Sequence, residues 1–256
     1  MTRPVVDPRD AIAFLQALVR LDTVNPPGRE SLAADLIQSR LEPLGFEIER
    51  VGAEAGRDCL LATLRGTGGG PTLIFNGHTD VQPVGPGWTH DPFGAEIDGD
   101  RLYGNGVHDM KAGVAAFVLA GEALVRQGQR LRGSLLLQAV PDEVSGGVKG
   151  TGYLFANKKL AGDYAVVCEP TGLDVFVAHR GMMWFTLSVN GEPAHSGRPW
   201  LGVNAIAKVS TVIQELERAL GPISPPALTR RCPPPASTSA ASRAAPRRTW
   251  SPRAAG

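Results

Sequence analysis

The sequence predicts an α/β fold, a mixed and largely parallel sheet flanked by helices, followed by the beginning of a smaller α+β unit. Three features carry that prediction: short apolar runs bounded by glycine and proline, helical periods between them, and a change of pattern near residue 180. Asp7 or Asp10 can cap a first helix that lines up Ala11, Phe14, Leu15 and Leu18 on one face. The turn Asn25, Pro26, Pro27, Gly28 stops that helix, and a second one carries Leu32, Leu36, Ile37, Leu41 and Leu44 up to Gly45. Residues 59–64, 72–75 and 133–140 read as strands, 110–126 as a long helix, and 164–168 as a further buried strand. From Gly181 a strand with alternating Phe185, Leu187 and Val189 leads through a polar loop into a helix. That helix spaces Val203, Ile206, Val209, Ile213, Leu216 and Leu220 three or four apart. The expected organisation is a first unit over 1–179, a partial second unit over 180–220 and a tail over 221–256.

Composition narrows the function classes. A chain of 256 residues with 43% hydrophobic content has room for one sizeable core and a smaller second unit. Its three cysteines, Cys59, Cys168 and Cys232, form no CxxC pair, so neither a disulfide framework nor a zinc ribbon is expected and a reducing compartment fits. No stretch approaches the ~18 apolar residues of a membrane span, and the N-terminus lacks an apolar signal region. A soluble cytoplasmic protein is expected, with no membrane partner. The charge is uneven: residues 221–256 hold six arginines and no acid, a charge of +6, leaving −5 for the first 220 residues of a chain whose net charge is +1. A mildly acidic body gives no footprint for specific nucleic-acid binding, and the tail offers at most weak binding without sequence preference. Pro, Ala, Arg and Ser make up 27 of the 36 tail residues and no period survives, so disorder is expected there. A GC-rich coding sequence read out of frame gives the same switch; a genuine basic tail is the other explanation.

Several polar groups follow strand ends. In NGHTDVQPVG, residues 76–85, His78 and Asp80 are two apart on an extended chain and face one side where open α/β sheets carry their sites. Metal ligation and a hydrogen-bonded polar turn both suit that pair. In GNGVHDMKAG, residues 104–113, Asp109 suits a helix cap as well as a bridging ligand, and His108 reads as a solvent-facing neighbour. The third glycine of a dinucleotide fingerprint would fall on Asp109, and no GxxxxGK occurs, so nucleotide binding is not expected. Glu143, in PDEVSGG at 141–147, suits a loop acid or a general base that activates water at a metal. Glu169, in VVCEPTG, follows a strand and is held extended by the proline after it.

NPPGRE, NGHTDVQPVG, GNGVHDMKAG, PDEVSGGVKGTGYL, CEPTG and GEPAHSGRPWLGVNAI stand in this order between about residues 8 and 220. Together they resemble the M20 family of zinc-dependent aminoacylases and peptidases, of the acetylornithine deacetylase, succinyl-diaminopimelate desuccinylase and carboxypeptidase G2 type. The resemblance implies a zinc-exopeptidase sheet, a lid and dimerisation domain, and hydrolysis of the amide in an N-acyl amino acid or small peptide. It implies His78, Asp109 and Glu169 as ligands of a first metal, with Asp109 bridging to a second, and Asp80 as the group that orients the His78 imidazole. Glu143 becomes the general base. His195, on the lid loop 193–198, reaches into a neighbouring subunit's site to stabilise an oxyanion. Arg198 and Asn204 become substrate contacts, a helix cap being the other reading of Asn204. The implied cofactor is zinc, with cobalt or manganese as substitutes, and the implied partner is a second copy joined through the lid.

Two features depart from the family pattern. Val144 stands where members carry a second glutamate for the second metal, and no histidine follows His195, whereas the family's chain returns to the catalytic domain and supplies one. Both losses fall on the second metal. One tightly held ion per chain is therefore expected, with three protein ligands and one open position, the usual makeup of a catalytic zinc. The lid is expected to be incomplete and activity impaired, and the alternative function is a non-catalytic fragment or a pseudoenzyme acting as a binding or dimerisation module.

Overall fold

The run Leu135, Leu136, Leu137, Gln138, Ala139, Val140 is buried on both of its faces, which is why it carries no polar alternation and why it lies inside a sheet. The computed structural model describes residues 6–179, 181 and 185–220. In chain order the elements are helices α1 (Pro8–Arg20) and α2 (Ser31–Leu41), strands β1 (Glu47–Val51), β2 (Cys59–Leu64) and β3 (Thr72–His78), and the hairpin of β4 (Glu96–Asp98) and β5 (Arg101–Tyr103). Then come helix α3 (Ala112–Arg126), strand β6 (Ser134–Val140), helix α4 (Thr151–Ala156), strand β7 (Tyr164–Val167) and helix α5 (Ala205–Leu220). The main sheet has the order β1-β2-β6-β3-β7. β6, β3 and β7 pair in parallel while β2 runs antiparallel to both β1 and β6, so four of the five strands point the same way.

Strand alternation divides the core into two layers. Leu60, Ala62, Leu135, Leu137 and Ala139 face α1, α2 and α3, packing on Phe14, Leu18, Ile37, Leu41 and Phe117. Cys59, Leu61, Ile74, Leu136 and Val140 face the other way, against Leu154 of α4. The chain divides into two units, Met1–Leu173 and Asp174–Gly256. The sheet belongs to the first.

Most expected elements are present, with informative differences. Asp7, not Asp10, caps α1, its Oδ1 accepting from the Arg9 N–H at 2.9 Å, while Asp10 pairs with Arg40. β3 continues past Phe75 to His78, because its parallel ladder with β6 runs to the pair His78 and Val140. α3 begins at Ala112 rather than at residue 110: Asp109 (φ −125°, ψ 99°) and Met110 (φ −130°, ψ 30°) are not helical. β7 was expected to be buried and is exposed, with Tyr164 at 66% and Val167 at 58%: among the described residues it pairs with β3 alone, and neither core layer includes its side chains. Sequence reading missed β1, whose EIERV is too polar to stand out, along with the β4–β5 hairpin and α4.

In the second unit, residues 185–190 form no strand, and Phe185 and Leu187 are exposed. A strand needs a ladder partner, and the pairing present among the described residues there is the isolated bridge between Glu192 and Val203. α5 forms as its period predicts, with Asn204 Oδ1 accepting from the Ala207 N–H at 3.0 Å. The expected disordered, out-of-frame tail over 221–256 lies outside the described residues. No helix among the described residues is long and apolar enough to cross a membrane.

Candidate metal centre

Three adjacent parallel strands, β6, β3 and β7, end on the same edge of the sheet, and each is followed by a polar residue of interest. His78 closes β3, Glu143 lies three residues past β6, and Glu169 two past β7. Asp109 joins them from the irregular turn Val107–Lys111 ahead of α3. That helix start comes close to the segment carrying Glu169 because residue 113 is glycine: a Cβ there would stand 3.1 Å from the Cys168 carbonyl carbon and closer still to its oxygen. Cys168 in turn extends the β7 ladder, its N–H donating to the Asn76 carbonyl at 3.0 Å.

The His78 ring is 2% exposed, and its two nitrogens have different surroundings. Nδ1 faces only acceptors, the Asp80 carbonyl oxygen at 2.9 Å and the Asp80 carboxylate at 3.4 Å, so this nitrogen carries the proton. Nε2 faces Asp109 Oδ1 at 3.0 Å, Glu169 Oε1 at 3.7 Å and Glu143 Oε2 at 3.7 Å. With the Nδ1 proton fixed by acceptors, Nε2 is the nitrogen that can give up its proton to present a lone pair, the arrangement that a neutral ligating imidazole requires. Asp80 does more than hold the ring: its Oδ1 accepts from the Glu143 N–H and its Oδ2 from the Val144 N–H, both at 3.1 Å.

Single ligand atoms of His78, Asp109 and Glu169 all lie within 4.8 Å of one another, and among the described residues this is the group that could hold a metal ion. With bonds of about 2.0 to 2.2 Å, two ligands of a tetrahedral zinc sit roughly 3.4 Å apart. The separations of 3.0 and 3.7 Å from Nε2 bracket that value, so the residues fit such an ion with small adjustments. One imidazole and two carboxylates suit zinc and also harder divalent ions such as manganese. Val144, through its backbone, only donates to Asp80; its isopropyl group offers no ligand atom.

Negative charge dominates the site. Burial works against a charged His78 ring, but hydrogen bonds to Asp109 and Asp80 and the nearby charges outweigh it and lift its pKa to about 10. The hydrogen bond from His78 holds Asp109 below the usual carboxylate range, more than offsetting its partial burial. Burial also opposes ionisation of Asp80, yet His78, Asn25 and the Glu143 N–H keep it low. Burial pushes Glu169 up to about 7, with Asp109 and Glu143 adding to the rise, and it raises Glu143 as well. A divalent cation would offset this excess of carboxylates.

His195, Arg198 and Asn204 lie in the second unit. The His195 Nδ1 accepts from the Gly197 N–H at 3.0 Å, the Arg198 N–H donates to the His195 carbonyl, and Asn204 is the α5 cap. His108 is exposed, as expected. Sequence reading assigned no role to Asn25, Glu30, Arg57, Asp142 or Lys111, all of them buried. The first two belong to the quoted NPPGRE motif, which was the available signal.

Comparison with known proteins shows the family and the fold. Succinyl-diaminopimelate desuccinylase of Gluconobacter oxydans (strain 621H) is 37% identical over 220 residues, 82% of this chain and 56% of that protein. The protein of the same name from Parvibaculum lavamentivorans is 35% identical over 234 residues, 85% of this chain and 58% of its own length. The chain thus spans less than two thirds of the length of these curated relatives. Among solved structures, aminopeptidase PepT from Bacillus cereus shares the fold with a TM-score of 0.58 at 20% identity, over 83% of this chain and 57% of that one. An M20 family metallo-carboxypeptidase from Sulfolobus solfataricus does so with a TM-score of 0.54 at 24% identity, over 63% and 37%. Residues 74–245, which hold His78, Asp109, Glu143 and Glu169, match the description of peptidase family M20/M25/M40, and the chain belongs to that family.

Proposed function

We propose that this chain carries the metal-binding catalytic unit of a hydrolase acting on the amide bond of N-acyl amino acids or small peptides. The observation that carries the reading is the convergence of His78, Asp109 and Glu169 within 4.8 Å, with Glu143 Oε2 3.7 Å from the same imidazole nitrogen. Zinc held by those three residues, or cobalt or manganese in its place, supplies a Lewis acid that polarises the scissile carbonyl and acidifies water. Glu143 takes the proton from the attacking water and returns it to the leaving amine. Its raised pKa, caused by burial, suits an acceptor that must later donate. Asp80 orients His78 and, through the two N–H groups it accepts from, the turn that bears Glu143.

In the second unit, the Nδ1 of His195 already accepts from Gly197, so the neutral ring carries its proton on Nε2, the form that donates to an oxyanion. We assign that role to His195 acting on a neighbouring subunit. Substrate contact is assigned to Arg198 and to the amide nitrogen of Asn204, whose oxygen is engaged as a cap. The exposed apolar residues Ile206, Ile213 and Leu220 of α5 support a second copy as the partner of this unit. Because relatives carry the name succinyl-diaminopimelate desuccinylase, N-succinyl amino acids come first among the acyl amides to assay.

The test is metal analysis after exhaustive dialysis, joined to hydrolysis of N-acyl amino acids by the wild type and Glu143→Gln. One equivalent of metal retained by both proteins is expected, with turnover in the variant falling by about 10² to 10⁴. Two equivalents retained, or full turnover without the Glu143 carboxylate, would overturn the reading. One equivalent with no turnover in either protein would favour a non-catalytic binding module.

A further inference from the structure

The NPPGRE motif has no part in the chemistry above, yet it ends beside it. Asn25 and Glu30 of that motif, Arg57 from the loop between β1 and β2, Asp142, and Asp80 are each no more than 4% exposed. They form one continuous polar chain. The Arg57 guanidinium pairs with Glu30 through two parallel contacts, Nη2 to Oε1 at 2.6 Å and Nε to Oε2 at 3.1 Å, the fork geometry that fixes both partners in direction. The same Nη2 reaches Asp142 Oδ1 at 3.3 Å. Asn25 Nδ2 links that oxygen, at 3.4 Å, to Asp80 Oδ2, at 2.9 Å. The other Asp142 oxygen accepts from the Lys149 N–H at 2.9 Å, closing the loop that starts at the end of β6.

What this chain holds is the backbone on either side of Glu143. Asp142, immediately before it, has a left-handed backbone (φ +74°), a conformation an L-residue adopts at a cost unless its surroundings fix it. Those surroundings are Arg57, Asn25 and the Lys149 N–H. The Glu143 and Val144 N–H groups then bind Asp80, which Asn25 also holds. Gly28 is part of the same device. Its φ is +86°, and a Cβ on it would stand 2.6 Å from Arg57 Cζ and 2.8 Å from Glu30 Oε2, so the guanidinium occupies the space a side chain would need.

We propose that the buried Arg57–Glu30 pair, seated on Gly28 and linked through Asp142 and Asn25, sets the turn that carries Glu143 against His78, which makes Arg57 a positioning residue for the hydrolysis. The proposal rests on the reading of Glu143 and His78 given above. An ion pair serving stability alone would have no reason to end on the residue before the base and on the carboxylate that holds the base's own N–H.

The experiment compares the wild type with Arg57→Met, which removes the charge, and Arg57→Lys, which keeps the charge and loses the fork. Amide hydrogen exchange is measured on the metal-free proteins, and zinc affinity by competition with a chromophoric chelator. In Arg57→Met the amides of Glu143, Val144 and Lys149 are expected to exchange at least ~10-fold faster while those of β3 and β6 keep their protection. Arg57 reaches the assigned ligand His78 only through Asp142, Asn25 and Asp80, so zinc should bind at most about 10-fold more weakly, the low end of an outer-shell loss, and Arg57→Lys should fall between the two. Unchanged exchange in a folded Arg57→Met protein would overturn the proposal, as would a uniform rise that includes β3 and β6. Should Arg57→Met fail to fold, Arg57→Lys and Gly28→Ala carry the same comparison, and loss of folding in Arg57→Lys as well also overturns it. If the wild type binds no zinc, the metal reading fails while the exchange measurement still decides the positioning one.

Discussion

Lys111 is the perturbation from which most can be calculated. Its side chain is fully buried, and its Nζ donates to the Leu21 carbonyl at 2.9 Å, at the C-terminal end of α1 where a cation is favoured. Burial nevertheless lowers its pKa from 10.5 to about 8, with only part of the penalty offset by Asp22. A fall of that size means that keeping the charge in the folded state costs about 3 kcal/mol, while removing the lysine leaves the Leu21 carbonyl without its donor, a loss of about 1. Lys111→Met, close in length and apolar, should therefore make the metal-free protein more stable at pH 7 by about 2 kcal/mol. The sign of the pH effect follows. Between pH 8 and 10.5 the unfolded chain holds the proton and the folded one does not, so the wild type gains stability as pH rises through that window. His78 works in the opposite sense. Its raised folded pKa gives stability that is fully present below the unfolded value and lost as pH rises through about 10. Since both proteins keep His78, it cancels in the difference. Urea unfolding of wild type and variant at pH 7 and pH 9.5, with the m-value checked for constancy, reads that difference directly. The advantage of the variant should shrink at the higher pH. A variant less stable at pH 7, by a margin that is the same at both pH values, would refute the argument from burial.

Two further outcomes are expected. In the metal-free protein at pH 7 His78 is protonated and Glu169, near its midpoint, partly so. Zinc binding should then release roughly one to two protons per ion, measurable by calorimetry in buffers of different ionisation enthalpy, and release of none would contradict the assigned ligands. Gly113→Ala should cost about 2 kcal/mol and weaken zinc binding together, since the new methyl meets the Cys168 backbone and pushes α3 away from the segment that bears Glu169. Thermal unfolding with and without zinc checks both effects.

The elements that could be read from the sequence were those whose physical cause is local. The apolar period of α1, the run in β6 and the cap at Asn204 each depend on residues within a turn or two of one another. His78, Asp109, Glu143 and Glu169 could be singled out because each follows a recognisable strand or precedes a helix. What stayed hidden depends on distance along the chain. Arg57 stands in the polar stretch AEAGRD, and nothing in that stretch pairs it with Glu30 or with Asp142, 85 residues away. Nothing in DMKAG marks Lys111 as buried, and in the structure it follows the non-helical turn at Asp109 and Met110 with its side chain turned inward. The exposure of β7 was equally beyond reach, because position within a sheet is a property of strand order and not of a strand's own residues.

The same distinction explains how the site divides its work. His78 is rigid: it ends a strand paired on both sides, its ring is buried, and Nδ1 is bound to the backbone oxygen two residues on. The carboxylates of Asp109, Glu143 and Glu169 stand on turns and are at least 37% exposed. In the proposed site, a fixed imidazole with carboxylates on turns around it would let the ring set where a cation sits, with the acids closing on it from the solvent side. The excess of negative charge makes that closure favourable only with a cation or protons present: it lifts the His78 pKa against the effect of burial, and it adds to the rise that burial causes in Glu169. Asp80 and Asp142, by contrast, are buried and fully hydrogen-bonded. They cannot move toward a cation, and their charge acts through the backbone they hold.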